Sequence, residues 1–269
     1  MNKKALLKAS RLLSLPLILT LFVNCNNIEL NSLWRDCEIS IDGMQFDWEN
    51  TLINIEDKKM NLGLLNDNEY LYICLLPLDQ DIIWQAMTQG FIVWFEPDGD
   101  PKNKLGICYP IGIQSSNMPL RGFMAKQNPE ERRKVIEKSL KEIKLIGPGK
   151  NETITIPVTN PTGIEVRVGT RNERMVYELK IPLAESDEHL YAVGALPGNE
   201  IKVKFETGKF KKSAMNRPSG MRPGGGKGGR GGGGKGMRPG AGGRERPDMP
   251  EPMKMSVKVL LASADSDKP

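Results

Sequence analysis

Residues 60–113 read MNLGLLNDNEYLYICLLPLDQDIIWQAMTQGFIVWFEPDGDPKNKLGICYPIGI, and the fold is decided here. Leu62 and Leu64 alternate with Gly63 and Leu65, and Asn66-Asp67-Asn68 then supplies turn chemistry. From Tyr70 to Leu76 the chain is extended again. Tyr70, Tyr72 and Cys74 share one face and Leu71, Ile73 and Leu75 the other, so both faces suit a central strand. Asp79 caps a short helix on which Ile82, Ile83, Ala86 and Met87 recur at helical spacing, and Gly90 ends it. Phe91–Phe95 is a third strand, rich in aromatic and β-branched residues. Glu96-Pro97-Asp98-Gly99-Asp100-Pro101 turns the chain, and Leu105–Ile113 returns as a fourth.

Outward from this stretch the same period recurs. Strands are expected at Cys37–Asp42, Leu52–Glu56, Thr153–Val158, Gly163–Gly169, Met175–Pro182, Glu200–Glu206 and Met255–Ala262. Asn128-Pro129-Glu130-Glu131 opens a second helix. Its stripe of Val135, Ile136, Leu140 and Ile143 predicts a run to about Ile146, stopped by Gly147-Pro148-Gly149. About ten short strands with two accessory helices predict an all-β, antiparallel, jelly-roll-like β-sandwich.

The ends and one insertion differ in character from this body. Lys3, Lys4, Lys8 and Arg11 precede the apolar run Leu12–Val23, which is too short to span a bilayer and reads as a secretory signal. In LFVNC, Leu21, Phe22 and Val23 suit a lipoprotein processing site, Asn24 stands where a small residue is usual, and Cys25 is where lipid would be attached. The expected partition is a lipoprotein-type signal peptide over 1–24, a tether over 25–35, the sandwich over 36–262 and a tail over 263–269. Inside the sandwich, residues 213–253 form a Gly/Arg/Lys-rich insertion, expected to be a disordered loop because it cannot bury enough apolar surface to offset its chain entropy. Between Lys209 and Pro247 there are 11 Lys/Arg against Glu245 alone, so the net charge of +5 hides an acidic body. An exported chain makes nucleic acid an unnatural partner, and the insertion has no aromatic residue for base stacking. Anionic surfaces fit it better, bound loosely and released by salt.

Several of these segments carry a family likeness. Asp42-Gly43 followed by Trp48, the runs LGLLNDNEYLYICL and GFIVWFEPDGDPKNKLGICYPIG, the string VYELKIPL and the closing VKVLLA together resemble DOMON-like domains related to family 9 carbohydrate-binding modules. More narrowly, they resemble bacterial exported proteins or lipoproteins that carry this domain alone. The resemblance covers roughly Asp36 to Ala262 and implies a ligand-holding sandwich, with sugars, or in some branches haem, as the ligand.

Sugar binding needs aromatic planes against which a pyranose stacks, with amides and carboxylates for its hydroxyls. Trp84, Trp94 and Trp48 are the candidates; Trp94, between Val93 and Phe95, and Trp48, beside Phe46, also read as core packing. Haem ligation is argued against, since the only histidine is His189, in the polar loop ESDEHLYA, where a solvated side chain is expected. Glu96, Asp98 and Asp100 are weak calcium candidates that also read as ordinary turn formers. No Cys-x-x-Cys pair occurs to hold zinc, and a disulfide among Cys37, Cys74 and Cys108 is not assignable from spacing. Gly-x-Ser-x-Gly, His-Glu-x-x-His and phosphate-loop motifs are absent. The expected function is therefore non-catalytic and without cofactor: a cell-envelope lipoprotein, membrane-anchored through Cys25, whose sandwich binds a glycan. The alternative is a structural or interaction protein of the envelope that uses the acidic body and the basic loop.

Overall fold

The structure is a computed structural model and describes residues 28–97, 104–113, 128–147, 152–171, 174–208 and 251–264. Among these, thirteen strands form two facing sheets. They are β1 (Ile28–Asn31), β2 (Leu33–Trp34), β3 (Ile53–Ile55), β4 (Met60–Asn66), β5 (Tyr70–Pro77), β6 (Phe91–Pro97), β7 (Leu105–Cys108), β8 (Glu142–Ile146), β9 (Thr153–Pro157), β10 (Glu165–Arg171), β11 (Arg174–Pro182), β12 (Glu200–Thr207) and β13 (Lys254–Leu260). The α-helices among the described residues are α1 (Gln80–Gln89) and α2 (Pro129–Ser139). One sheet has seven strands in the order β1-β13-β12-β6-β7-β8-β9, and the other has six, ordered β10-β11-β5-β4-β2 with β3 also on β4. This is an all-β sandwich.

Strand alternation drives the two sheets together. Leu71, Ile73 and Leu75 of β5 and Tyr177, Leu179 and Ile181 of β11 face Val93 and Phe95 of β6, Val203 and Phe205 of β12 and Val257 and Val259 of β13 in one buried core. Each such side chain is worth roughly 1.5–3 kcal/mol when removed from water. Helix α1 carries the chain from β5 in one sheet to β6 in the other. The Asp79 carboxylate accepts from the Asp81 N–H, and Gly90 follows the helix at φ 92°, where a Cβ would lie 2.9 Å from the Ile111 carbonyl oxygen.

Five expectations are corrected. The second helix stops at Ser139, and Glu142–Ile146 is instead strand β8, whose Ile143 and Leu145 are buried while their neighbours are not. Four residues of helical spacing were outweighed by two-residue alternation beside β7. Residues 28–34 are not a tether: β1 pairs in parallel with β13, and β2 in parallel with β4, so the sheets are mixed rather than wholly antiparallel. Cys37–Asp42 joins no sheet, and the segment lies over the outer face of the six-stranded sheet with Ile39 buried against it. Strand β7 ends at Cys108, well before Ile113, and a cis Tyr109–Pro110 bond follows. The signal region with Cys25, the insertion from 209 to 250 and the end of the tail lie outside the described residues.

Candidate functional site

The sequence put forward three indoles, and the structure does not bring them together. Trp48 is fully buried. It sits on the outer side of the six-stranded sheet, where a Cβ on Gly63 would lie 2.7 Å from its ring. Its Nε1–H donates to Glu178 Oε1 at 2.7 Å, and the Gly43 N–H donates to the other carboxylate oxygen. Trp48 therefore plugs the covering segment and presents no face to a ligand, which corrects its candidacy. Burial pushes the Glu178 carboxyl above its usual range, against the opposing pull of the Gly43 and Trp48 donors. Trp84 lies on α1, half-buried, with its carbonyl accepting from the Thr88 hydroxyl at 2.7 Å. The inner side of α1 is held by Gln85, whose Oε1 accepts from Thr207 Oγ1 at 2.7 Å and whose Nε2 donates to the Glu251 carbonyl at 3.1 Å.

Trp94 is placed differently. It projects from β6 on the outer face of the seven-stranded sheet, half-buried, between the buried Val93 and Phe95 that point into the core. Its cross-strand partner on β7 is Gly106, where a Cβ would come within 2.6 Å of the indole, so the ring lies across bare backbone. The Nε1–H donates to Glu206 Oε1 at 2.9 Å, and the Lys104 ammonium lies over the ring, 4.5 Å from its centroid. On the other side, Lys204 is the β12 partner of Trp94 and pairs with the buried Glu96 at 2.5 Å. Aromatic, carboxylate and ammonium groups thus converge on one half-buried patch. Glu96 is committed to Lys204, while Asp98 and Asp100, the other two calcium candidates, lie outside the described residues.

Elsewhere, a concavity with a volume of about 830 Å3 runs along β10. Its wall includes His189, which is half-buried rather than solvated as expected: Nε2 lies 3.0 Å from Tyr70 Oη, and Nδ1 is buried without a hydrogen-bond partner among the described residues. Gly163 permits this, because a Cβ there would sit 2.7 Å from Nδ1. Tyr70 carries Lys180 over its ring at 4.4 Å, and that ammonium pairs with Glu165 at 2.8 Å. Burial pushes the Tyr70 phenol upward in pKa, with Lys180 pulling the other way.

The chain is similar to a family 9 carbohydrate-binding module. That module, from Caldicellulosiruptor kristjanssonii in complex with glucose, is 10% identical, with 70% of this chain and 80% of the module covered at a TM-score of 0.34. A second structure of such a module from the same organism, in complex with cellotriose, is 11% identical, with 67% and 75% covered at the same score. No family model and no curated protein matches the chain. The sandwich rests on its own two sheets, not on this distant likeness.

Sequence reasoning reached Trp94 but not its setting. Gly106 on β7 and Lys204 and Glu206 on β12 come to it from two other points of the chain through strand register, which local patterns do not encode. The His189–Tyr70 contact joins residues 119 apart, and the one local sign of it is Gly163 beside a turn.

Proposed function

We propose that this chain is a non-catalytic envelope protein whose sandwich binds a carbohydrate on the outer face of its seven-stranded sheet. The half-exposed indole of Trp94, laid across Gly106 and bordered by Glu206, Lys204 and Lys104, is the observation that carries this reading. The CH face of a pyranose stacks on such a ring, carboxylates accept from its hydroxyls, and ammonium groups donate to its oxygens. Lys104 lies over the ring, and a long lysine side chain swings aside at little cost, so it acts as a movable cover. In the same reading the signal region and Cys25 deliver and anchor the protein in the envelope, and the basic segment 213–253 makes loose contacts with anionic surfaces.

A second reading, an envelope interaction protein without a sugar ligand, draws on one observation: Trp48 is buried and Trp84 sits on α1, so Trp94 stands without a second indole on its face. One experiment separates the two. The full chain and its Trp94→Ala variant are applied to a glycan array at low salt. The carbohydrate reading expects glycan signals from the wild type that the variant loses; an array blank for both favours the interaction protein.

A further inference from the structure

We propose that the cleft along β10 is a binding site for a short peptide with free amino and carboxyl ends, separate from the Trp94 patch and independent of the glycan reading. Among the described residues, strand β10 ends its sheet, pairing with β11 alone. In an antiparallel pair, alternate residues turn their N–H and C=O away from the partner. The Ile164 carbonyl is on that free side, where it accepts from Asn160 Nδ2 at 3.1 Å, so Val166 and Val168 next along the strand share the orientation. Among the described residues, neither makes a backbone bond on that side. An extended chain laid there gains main-chain hydrogen bonds as an added strand.

The charges fix its ends. His189 packs against Gly163, which puts the exposed Asp187 and Glu188 at that end of the cleft. Arg167, on the strand itself, lines the same cleft four residues beyond Gly163 in the chain, at most about 13 Å away at the rise of an extended chain. Lys180 is already neutralised by Glu165, whereas Arg167 has no ion pair among the described residues. A carboxylate is therefore held at the Arg167 end, where a guanidinium grips it through two parallel hydrogen bonds, and an ammonium at the Asp187 and Glu188 end. The spacing fits an extended peptide of about four residues. Ile41 and the largely exposed Leu190 flank its side chains.

The test is calorimetric titration of the full chain with tetra-alanine bearing free ends, alongside its N-acetylated and C-amidated forms. Arg167→Ala and the double variant Asp187→Asn with Glu188→Gln are titrated in parallel, their melting temperatures confirming that these exposed substitutions leave the fold intact. The expected result is binding of the free-ended peptide, weakened at least about tenfold by blocking either end or by either variant, with cellotriose unable to displace it. No binding of the free-ended peptide, equal binding of the blocked forms, or displacement by cellotriose overturns the proposal. Because the Trp94 patch takes no part, Trp94→Ala leaves peptide binding unchanged, so failure of one site is distinguishable from failure of the other.

Discussion

The indole of Trp94 lies across Gly106, its partner on the neighbouring strand, so closely that a methyl group there would come 2.6 Å from the ring. Gly106→Ala is therefore expected to lift or rotate the indole while leaving the β6–β7 ladder in place. Overpacking of this kind costs about 1–3 kcal/mol, readable in urea unfolding. Glycan affinity is expected to fall with it, although residue 106 offers no side chain of its own to a ligand. Full affinity retained in Gly106→Ala would show that the ring's seat is irrelevant to binding.

Trp48 and Glu178 form the second test, one of stability. Trp48→Phe keeps the plug of the covering segment but removes the N–H that reaches Glu178 Oε1. A buried carboxylate short of a donor costs about 2–3 kcal/mol. Adding Glu178→Gln to Trp48→Phe is expected to recover part of that loss, since a neutral amide tolerates the missing donor better. Additive effects in the double variant would mean that the two groups are not coupled.

Two carboxylates in this layer respond to pH in opposite senses. For Asp67, burial alone would raise the carboxyl, but the Glu69 and Tyr70 N–H groups and Arg35 together outweigh it and hold it below its usual range. Its stabilising contribution is present above the ordinary carboxylate range and is lost as pH falls through the lowered value. Glu178 is raised by burial, so its contribution is present below the ordinary range and is lost as pH rises through the raised value. Urea unfolding between about pH 3 and pH 8 should show wild type losing its advantage over Asp67→Asn on acidification, and Glu178→Gln gaining on wild type as pH rises.

Thiol chemistry separates the cysteines. Cys37, Cys74 and Cys108 are free thiols, with Cys37 exposed and the other two buried. Burial, with Glu178 adding to it, pushes Cys74 well up, and burial pushes Cys108 up to about 11 against the pull of Lys144. Burial and Asp36 raise Cys37 as well, so exposure sets it apart: a maleimide read out by peptide mass is expected to label Cys37 in the native protein, and Cys74 and Cys108 only in denaturant. Prompt labelling of Cys74 in the native protein would contradict the burial of β5.

How much of this was legible in the sequence depends on what each residue needed. Tyr70–Leu76, Phe91–Phe95 and Met255–Ala262 announced themselves because burial on one or both faces of a strand is written into two-residue alternation. Ile28–Asn31 and Leu33–Trp34 did not, being too short to show a period and made strands only by the partners Val257–Leu260 and Leu65–Asn66. Ile143 misled because it sits at helical spacing from Leu140 and equally at strand spacing from Leu145, and pairing with β7 on one side and β9 on the other decided between them. The site suffered most from this non-locality. A tryptophan is visible in a sequence, but that Gly106 lies beneath it and Glu206 beside it follows only once β6, β7 and β12 are in register.

The most direct test of the account is the intrinsic fluorescence of the full chain, wild type and Trp94→Ala, titrated with whichever oligosaccharide gives the strongest array signal. The account predicts a saturable change in wild-type emission as the sugar displaces Lys104 from the Trp94 ring, and no saturable change in the variant. A wild-type emission indifferent to the sugar, or a variant that responds with the same midpoint, would contradict it.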